Sequence, residues 1–293
     1  MKKHSIGQDV LWAILGICAV VCLLPLILVV IASFTDEGTL AINGFSYFPK
    51  KWSLEGWKYV GTFGKQLIVS YGVTIFVTVV GTIFSIVVTS MFAYTQSRKN
   101  FCLRGVLAIY MLITMLLSGG MLSGYLVNTT VYHLKDTLLI LILPGVSGMQ
   151  IIYMRSYIES NIPESLVESV KIDGGSEMRA FWQIVFPLMK PVVAALSFMS
   201  AVGYWNDWQK PYLYISSSYK MPLQLLLQRI ETSMEKMNSP LIDQAAYASL
   251  AQTIPSETAR MALLLTVLGP IMIAYPFFQK YFVQGLTIGA VKG

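Results

Sequence analysis

Six windows of this chain carry no Lys, Arg, Asp or Glu over lengths that match or approach a bilayer crossing: Val10–Ser33, Gln66–Ser97, Gly105–Leu134, Thr137–Met154, Pro191–Asn206 and Met261–Gln279. A transmembrane helix needs about 20 predominantly apolar residues, and flanking residues complete the shorter windows. Such runs constrain the fold more than anything else in the sequence. A lipid-embedded backbone must satisfy its own polar groups, and a helix does so within one segment. Composition agrees: 12% of residues are charged, where a soluble domain carries about 25%. The expectation is an all-α, polytopic membrane protein with six transmembrane helices, a single domain over residues 1–293. The net charge of +6 is scattered through loops, which suits anionic lipid headgroups and not a nucleic-acid partner.

The first window is long enough to span, and no small-residue cleavage site follows it, so it reads as an uncleaved first helix. Six helices, an even number, put both termini on one side. Lys2, Lys3 and the loop Arg98–Arg104 are basic, whereas Lys135 in the opposite short loop is balanced by Asp136. The positive-inside rule then places both termini in the cytoplasm. Two long loops, Phe34–Lys65 and Gln209–Arg260, fall outside, and residues 209–260 form the main extracytoplasmic loop. It contains the apolar run Met221–Leu227.

The second window repeats small and hydroxylated residues, Ser70, Thr74, Thr78, Gly81, Thr82, Ser85, Thr89 and Ser90, and Gly119, Gly120 and Gly124 cluster in the third. Close helix packing is the leading reading and a polar-lined path the second. No ionisable Lys, Arg, Asp or Glu lies mid-membrane, which argues against proton or ion coupling. Cys18, Cys22 and Cys102 have no ligand partners near them in sequence, so no metal site is expected.

Between the fourth and fifth windows lies a long polar stretch, Arg155–Lys190. Asn161 with Glu164 reads as a capping box, with Pro163 in the first turn. Leu166, Val167 and Val170 form an apolar stripe, Asp173-Gly174-Gly175 a breaker, and Ser176 a second N-cap. Phe181, Ile184, Val185 and Leu188 make another apolar face before Pro187 and Pro191. The pattern is a helix–turn–helix lobe whose apolar stripes call for a partner: a device for passing force into the bundle.

Glu168-Ser169-Val170, Gly174 and Ile184-Val185-Phe186-Pro187 stand at the spacing of the EAA loop, E-A-A, three residues, G, nine residues, I-x-L-P. The stretch therefore resembles the coupling loop of type I ABC importer permeases of the carbohydrate, maltose-type oligosaccharide subgroup. Ser53–Val60, Ala93–Lys99, Trp205-Asn206-Asp207-Trp208 and the tail Gln279–Gly293 resemble words of the same family, so the likeness covers nearly the whole chain. The chain looks most like the second permease of systems for polysaccharide-derived oligosaccharides, with alginate or pectin fragments as possible cargo. The resemblance implies a type I importer permease fold in a bacterial cytoplasmic (inner) membrane. It also implies a second homologous permease, a cytoplasmic ATPase dimer and an extracytoplasmic solute-binding protein as partners. Residues 155–190 are then the coupling loop and 280–293 a cytoplasmic tail. Glu168, Ser169, Asp173, Gly174 and Pro187, with Gly289, Lys292 and Gly293 of the tail, are the implied ATPase-docking residues. Gly174 is expected to sit where a larger side chain would clash.

The chain has no G-x-x-x-x-G-K-[ST] element to cradle phosphates. It is expected to be non-catalytic and to carry no cofactor of its own, ATP and Mg being bound by the partner ATPase. Tyr204, Trp205, Asn206, Asp207 and Trp208 are substrate-path candidates, because aromatics stack on sugar faces and amides bond hydroxyls. Interfacial anchoring is their competing reading, with Trp208, Pro211, Tyr212, Leu213 and Tyr214 extending the fifth span as an aromatic belt. A self-sufficient secondary transporter of small solutes is the alternative. It would show mid-membrane charges and inverted repeats.

Overall fold

The computed structural model describes residues 6–237 and 257–290. Among these residues the chain is helical, with a single isolated β-bridge between Thr35 and Trp52. The helices are α1 (Ile6–Ser33), α2 (Glu37–Asn43), α3 (Glu55–Thr62), α4 (Gly64–Ser97), α5 (Arg104–Leu116), α6 (Gly120–Leu126), α7 (Leu139–Ile142), α8 (Gly148–Asn161), α9 (Glu164–Ile172), α10 (Glu177–Ala180), α11 (Phe186–Leu188), α12 (Lys190–Asn206), α13 (Gln209–Tyr214), α14 (Leu223–Met237) and α15 (Glu257–Ala290). The backbone segregates into two compact units, Met1–Leu67 with Leu227–Pro270, and Ile68–Leu226 with Ile271–Gly293.

In the first unit, α1 is apolar and exposed along nearly its whole length from Val10 to Val30, the surface a helix presents to lipid. The Glu37 carboxylate accepts from the Glu257 and Thr258 amides at 3.0 Å each and from the Thr258 hydroxyl at 2.7 Å. It thereby supplies the acceptor that the first turn of α15 needs, with a charge of favourable sign for the helix dipole. A Cβ on Gly56 would lie 2.8 Å from the Thr258 carbonyl, so α3 reaches α15 backbone to backbone.

The second unit is organised around α4. Ser70, Thr74, Ser85, Thr89 and Ser90 are fully buried against the chain itself. The Thr74 hydroxyl accepts from the Leu223 amide at 2.8 Å, and the Ser85 hydroxyl donates to the Gly145 carbonyl at 2.7 Å. Gly81 admits the Tyr204 ring, whose atoms would stand 2.6–2.7 Å from a Cβ there. The hydroxylated face of α4 therefore packs helices, which favours the structural reading over an open polar path. The run Met221–Leu227 is buried apart from Gln224.

Two described helices, Val10–Ser33 and Gly64–Ser97, are long and apolar enough to cross a membrane; three bent pairs raise this to five if each is one span. The third expected span breaks at Leu117–Gly119 into α5 and the segment Gly120–Val131, bent by 115°. Gly120 takes φ +79° at that break, a conformation that favours glycine. Gly120 makes the bend, while Gly124, inside α6, has open space around it. The fourth bends by 43° between Gly145 and Gly148, and an 80° bend at Met189 separates the segment Glu177–Leu188 from α12, which holds the fifth expected window. The sixth lies within α15. The proposed extension of the fifth span does not form: the helix stops at Asp207, ψ 105°, and α13 starts afresh. Pro211 and Tyr214 are buried rather than belt-forming.

One loop junction is locked by charge. Asp136, at φ 56°, accepts from the Ser216 and Ser217 amides at 3.0 Å each, from the Ser217 hydroxyl at 2.5 Å and from Lys220 at 3.3 Å. The Ser217 hydroxyl and amide, with the other donors, outweigh desolvation and hold the carboxyl far below its usual range. A lowered carboxylate contributes stability above its unfolded value, about 3.9, that is lost as pH falls through the lower folded value. Asp136→Asn is therefore expected to lower the thermal midpoint at pH 7 in detergent. The gap to wild type should close progressively below about pH 4, as read by intrinsic fluorescence on heating.

Candidate functional site

The polar stretch 155–190 is a lobe built on the end of α4. Its first helix, α9, ends in Asp173-Gly174-Gly175, where the last carbonyls need donors. The Gly174 amide bonds the Lys171 carbonyl at 3.0 Å and the Gly175 amide the Val170 carbonyl at 2.7 Å, the paired closure of a Schellman turn. Gly174 takes φ +76°, yet a Cβ there would meet nothing within 4 Å. The expected clash at Gly174 is thus corrected: conformation, not space, restricts it. Space restricts Gly175, where a Cβ would lie 2.5 Å from Val170 Cγ1 and 2.8 Å from its carbonyl oxygen.

The Ser176 hydroxyl accepts from the Arg179 amide at 3.2 Å and caps α10. The expected cap at Asn161 is not made. Asn161 is the last residue of α8, its amide donating back to the Tyr157 carbonyl at 3.0 Å, and Pro163 opens α9 without a side-chain cap. Glu164 turns instead toward Arg98 and Lys99, each 3.8 Å away. After α10 the chain widens into a π-helical turn, Phe181–Val185, just before Pro187. Proline lacks the N–H of a regular turn and its ring crowds the carbonyl four residues back. One wider turn accommodates both.

The lobe's apolar stripes are largely satisfied by the chain itself. Val167, Phe181, Val185 and Met189 are buried with Ala93, Tyr94, Met154 and Ile158 in one core. This corrects the expectation that both stripes await a partner. Taken out of water, each such side chain contributes about 1.5–3 kcal/mol on burial, enough to make the lobe a rigid extension of α4 and α8.

Glu177 ties this body together. Its carboxylate accepts from the Tyr94 hydroxyl on α4 and from Lys171 at the end of α9, each at 2.5 Å. Burial works against its charge, but the bonds from Lys171 and Tyr94 outweigh that and hold its carboxyl below the ordinary value. The Tyr94 ring packs on Phe181 at 5.4 Å and under Arg98 at 5.9 Å. Sequence reasoning gave no role to Glu177, Tyr94 or Lys171. The signal lay in D-G-G-S-E, which seats an acid one residue past the cap.

Glu168, Ser169, Asp173, Gly174 and Pro187 are all exposed. Ser169 bonds the Leu166 carbonyl at 2.9 Å, and Glu168 pairs with nothing among the described residues. Ile172, one turn past Glu168, is 86% exposed, so an apolar and an acidic group share one outward face. Gly289 lies in α15; Lys292 and Gly293 fall outside the described residues.

The second predicted set divides. Tyr204 and Trp205 are buried, and the Tyr204 hydroxyl is spent on the Ile142 carbonyl at 2.9 Å. Asn206 accepts from Gln224 at 3.1 Å. Asp207 caps the Lys210 amide at 3.1 Å and pairs with its ammonium at 3.3 Å. Trp208 is exposed and meets Tyr212 edge-on at 6.2 Å. Tyr204 and Asp207 line a cleft of ≈ 260 Å³ with Gln150, Ser200 and Lys210, three residues the sequence did not single out. Gln150 donates to the Ser200 hydroxyl at 3.0 Å, while its amide oxygen is buried without a partner. That oxygen is an acceptor available to a hydroxylated ligand.

The profile of a family described as binding-protein-dependent transport system inner membrane component matches residues 68–288. The chain belongs to that family. It is similar to protein LplC of Bacillus subtilis (strain 168), 36% identical over 281 residues, covering 95% of this chain and 92% of LplC. It is also similar to the polygalacturonan/rhamnogalacturonan transport system permease protein YtcP of the same organism, 34% identical over 293 residues, covering 99% and 100% of the two chains. The crystal structure of a bacterial ABC transporter involved in the import of the acidic polysaccharide alginate superposes with a TM-score of 0.78 at 26% identity, over 96% of this chain and 100% of that one. The permease fold implied by the EAA-loop resemblance and the membrane character read from the apolar runs agree with the family description and with the name of YtcP.

If Glu177 holds α4 to the lobe, Tyr94→Phe and Glu177→Gln remove one shared interaction. Each is expected to lower stability by about 1 kcal/mol, with a coupling of at least about 0.5 kcal/mol in a double-mutant cycle of thermal midpoints.

Proposed function

We propose that this chain is the second permease subunit of an ATP-driven, binding-protein-dependent importer of oligosaccharides. On this reading six spans place both termini and the 155–190 lobe in the cytoplasm, and residues 209–260 face the solute-binding protein. A homologous permease completes the path, and a cytoplasmic ATPase dimer binds ATP and Mg. The chain itself performs no bond chemistry. Oligosaccharides from acidic polysaccharides are the cargo best supported, by the similarity to YtcP and to the alginate importer.

The observation that carries the reading is the contrast within the lobe. Glu177, Tyr94 and the buried apolar face fix it to the membrane helices, while Glu168 stays exposed and unpaired beside Ile172. A rigid lever with an open acidic and apolar tip transmits force from a partner. Closure of the ATPase dimer would pull the lobe, and α4 and α12 would follow because they share its core. The tail Gly289–Gly293 would have a second docking role. The cleft at Gln150, Ser200, Asp207 and Lys210 is the subunit's own lining of the sugar path, with Tyr204 as its packed wall.

Two variants test the lever. Glu168→Arg reverses the tip's charge, and Gly174→Asp adds an acid in a turn that aspartate can adopt at modest cost. Both should insert and fold normally, yet lose binding-protein-stimulated ATPase activity in proteoliposomes. Wild-type stimulation in both would refute the docking role. Gln150→Leu removes the free acceptor of the cleft. It should raise the oligosaccharide concentration for half-maximal uptake by about fivefold, the equivalent of one hydrogen bond of about 1 kcal/mol, with basal ATPase activity unchanged.

A further inference from the structure

A charged cleft of ≈ 430 Å³ opens at the root of the lobe, lined by Arg98, Lys99, Arg104, Glu159 and Glu164, with Ile158 and Ile162 in its wall. Its charges are unequally satisfied. Glu159 is closed, its Oε1 accepting from Arg104 and Arg155 at 2.9 Å each. Glu164 stands 3.8 Å from both Arg98 Nη1 and Lys99 Nζ, beyond the roughly 2.7–3.2 Å of a hydrogen bond. The Arg98 side chain is only 12% exposed, and its Nε is buried without a partner. A guanidinium taken out of water with an unspent donor is costly unless an acceptor completes it. Among the lining charges, Arg98, Lys99 and Arg104 set against Glu159 and Glu164 leave one positive charge in excess.

The position of the cleft narrows the ligand. α4 carries no charged side chain from Gln66 through Ser97, and Arg98 is the first charge beyond its end. A chain that spans the bilayer through α4 puts Arg98 and Lys99 at headgroup depth, where basic clusters between helices attract anionic lipid. The apolar wall of Ile158 and Ile162 suits the glycerol and first acyl carbons beneath a phosphate. We propose that this cleft binds the phosphate of an anionic phospholipid headgroup, held by Arg98 and Lys99, with Glu159 keeping Arg104 in place beside it. Occupancy would brace α9 against α4 through groups distinct from the outward tip at Glu168.

Native mass spectrometry of the complete detergent-solubilised transporter, titrated with phosphatidylglycerol, phosphatidylethanolamine or phosphatidylcholine, reads this site. Phosphatidylglycerol should be retained preferentially. Lys99→Gln, at a largely exposed position that tolerates change, and Arg98→Gln should each lower its retention at least about fivefold, the weight of one surface cation near anionic lipid. Lys190→Gln, an exposed cation elsewhere on the lobe, should leave retention within about twofold, below that one-cation effect. Equal retention of all three lipids, or an unchanged Lys99→Gln, would overturn the proposal. Displacement of phosphatidylglycerol by millimolar inorganic phosphate would assign the cleft to the free ion and overturn the lipid.

Discussion

The Glu177 carboxylate is the point on which the rest of the lobe depends. It reaches back across the Gly174-Gly175 turn to Lys171 and inward to Tyr94 on the longest helix of its unit. One carboxylate thus joins the turn, the helix before it and a membrane helix. Charge-assisted bonds of this kind are stronger than neutral ones, and this one is backed by Phe181 and Val185 packed beneath it. Without such a joint, a helical hairpin of this length would move independently of the bundle. With it, a displacement at the tip is shared by α4, α8 and α12.

The membrane helices are held by different physics. Between helices in lipid the hydrophobic effect contributes little, so close packing and hydroxyl bonds carry association. Gly81 and Gly145 make room for the Tyr204 ring, and Ser85 and Thr74 bond backbone groups of neighbouring segments. Tyr204 acts as a strut between the two glycines, its hydroxyl satisfied on the Ile142 carbonyl. Gln150, whose amide oxygen is left open, and the Asp207–Lys210 pair lie around this strut. A rigid wall beside a few polar groups is a common form of ligand site.

Much of this was legible in the sequence because local rules govern it. Charge-free runs marked the apolar segments, Ser176 announced its cap, and Asp173-Gly174-Gly175 its helix break. Other readings failed where local signals competed. Asn161 had the composition of an N-cap, but Pro163 two residues later set the start of α9 and left Asn161 closing α8. The stripe at Val167 and Val170 resembled a docking face, yet α4 supplied its partner from more than 70 positions away in the chain. Trp208 and Tyr212 looked continuous with the fifth span, but that helix ended at Asp207; Trp208 is the N-cap of the new helix and Tyr212 lies within it.

The sequence by itself determined the class: a helical membrane chain with one polar lobe and a coupling-loop spacing, since hydropathy, turn residues and motif spacing are properties of neighbours along the chain. Tertiary structure alone decided which polar groups are spent and which are free. Glu177, Tyr204 and Glu159 are consumed by partners 83, 62 and 55 residues away, while Glu168 and the Gln150 oxygen are left open. No local pattern encodes that distinction, because a side chain's hydrogen-bond account closes only when distant segments meet.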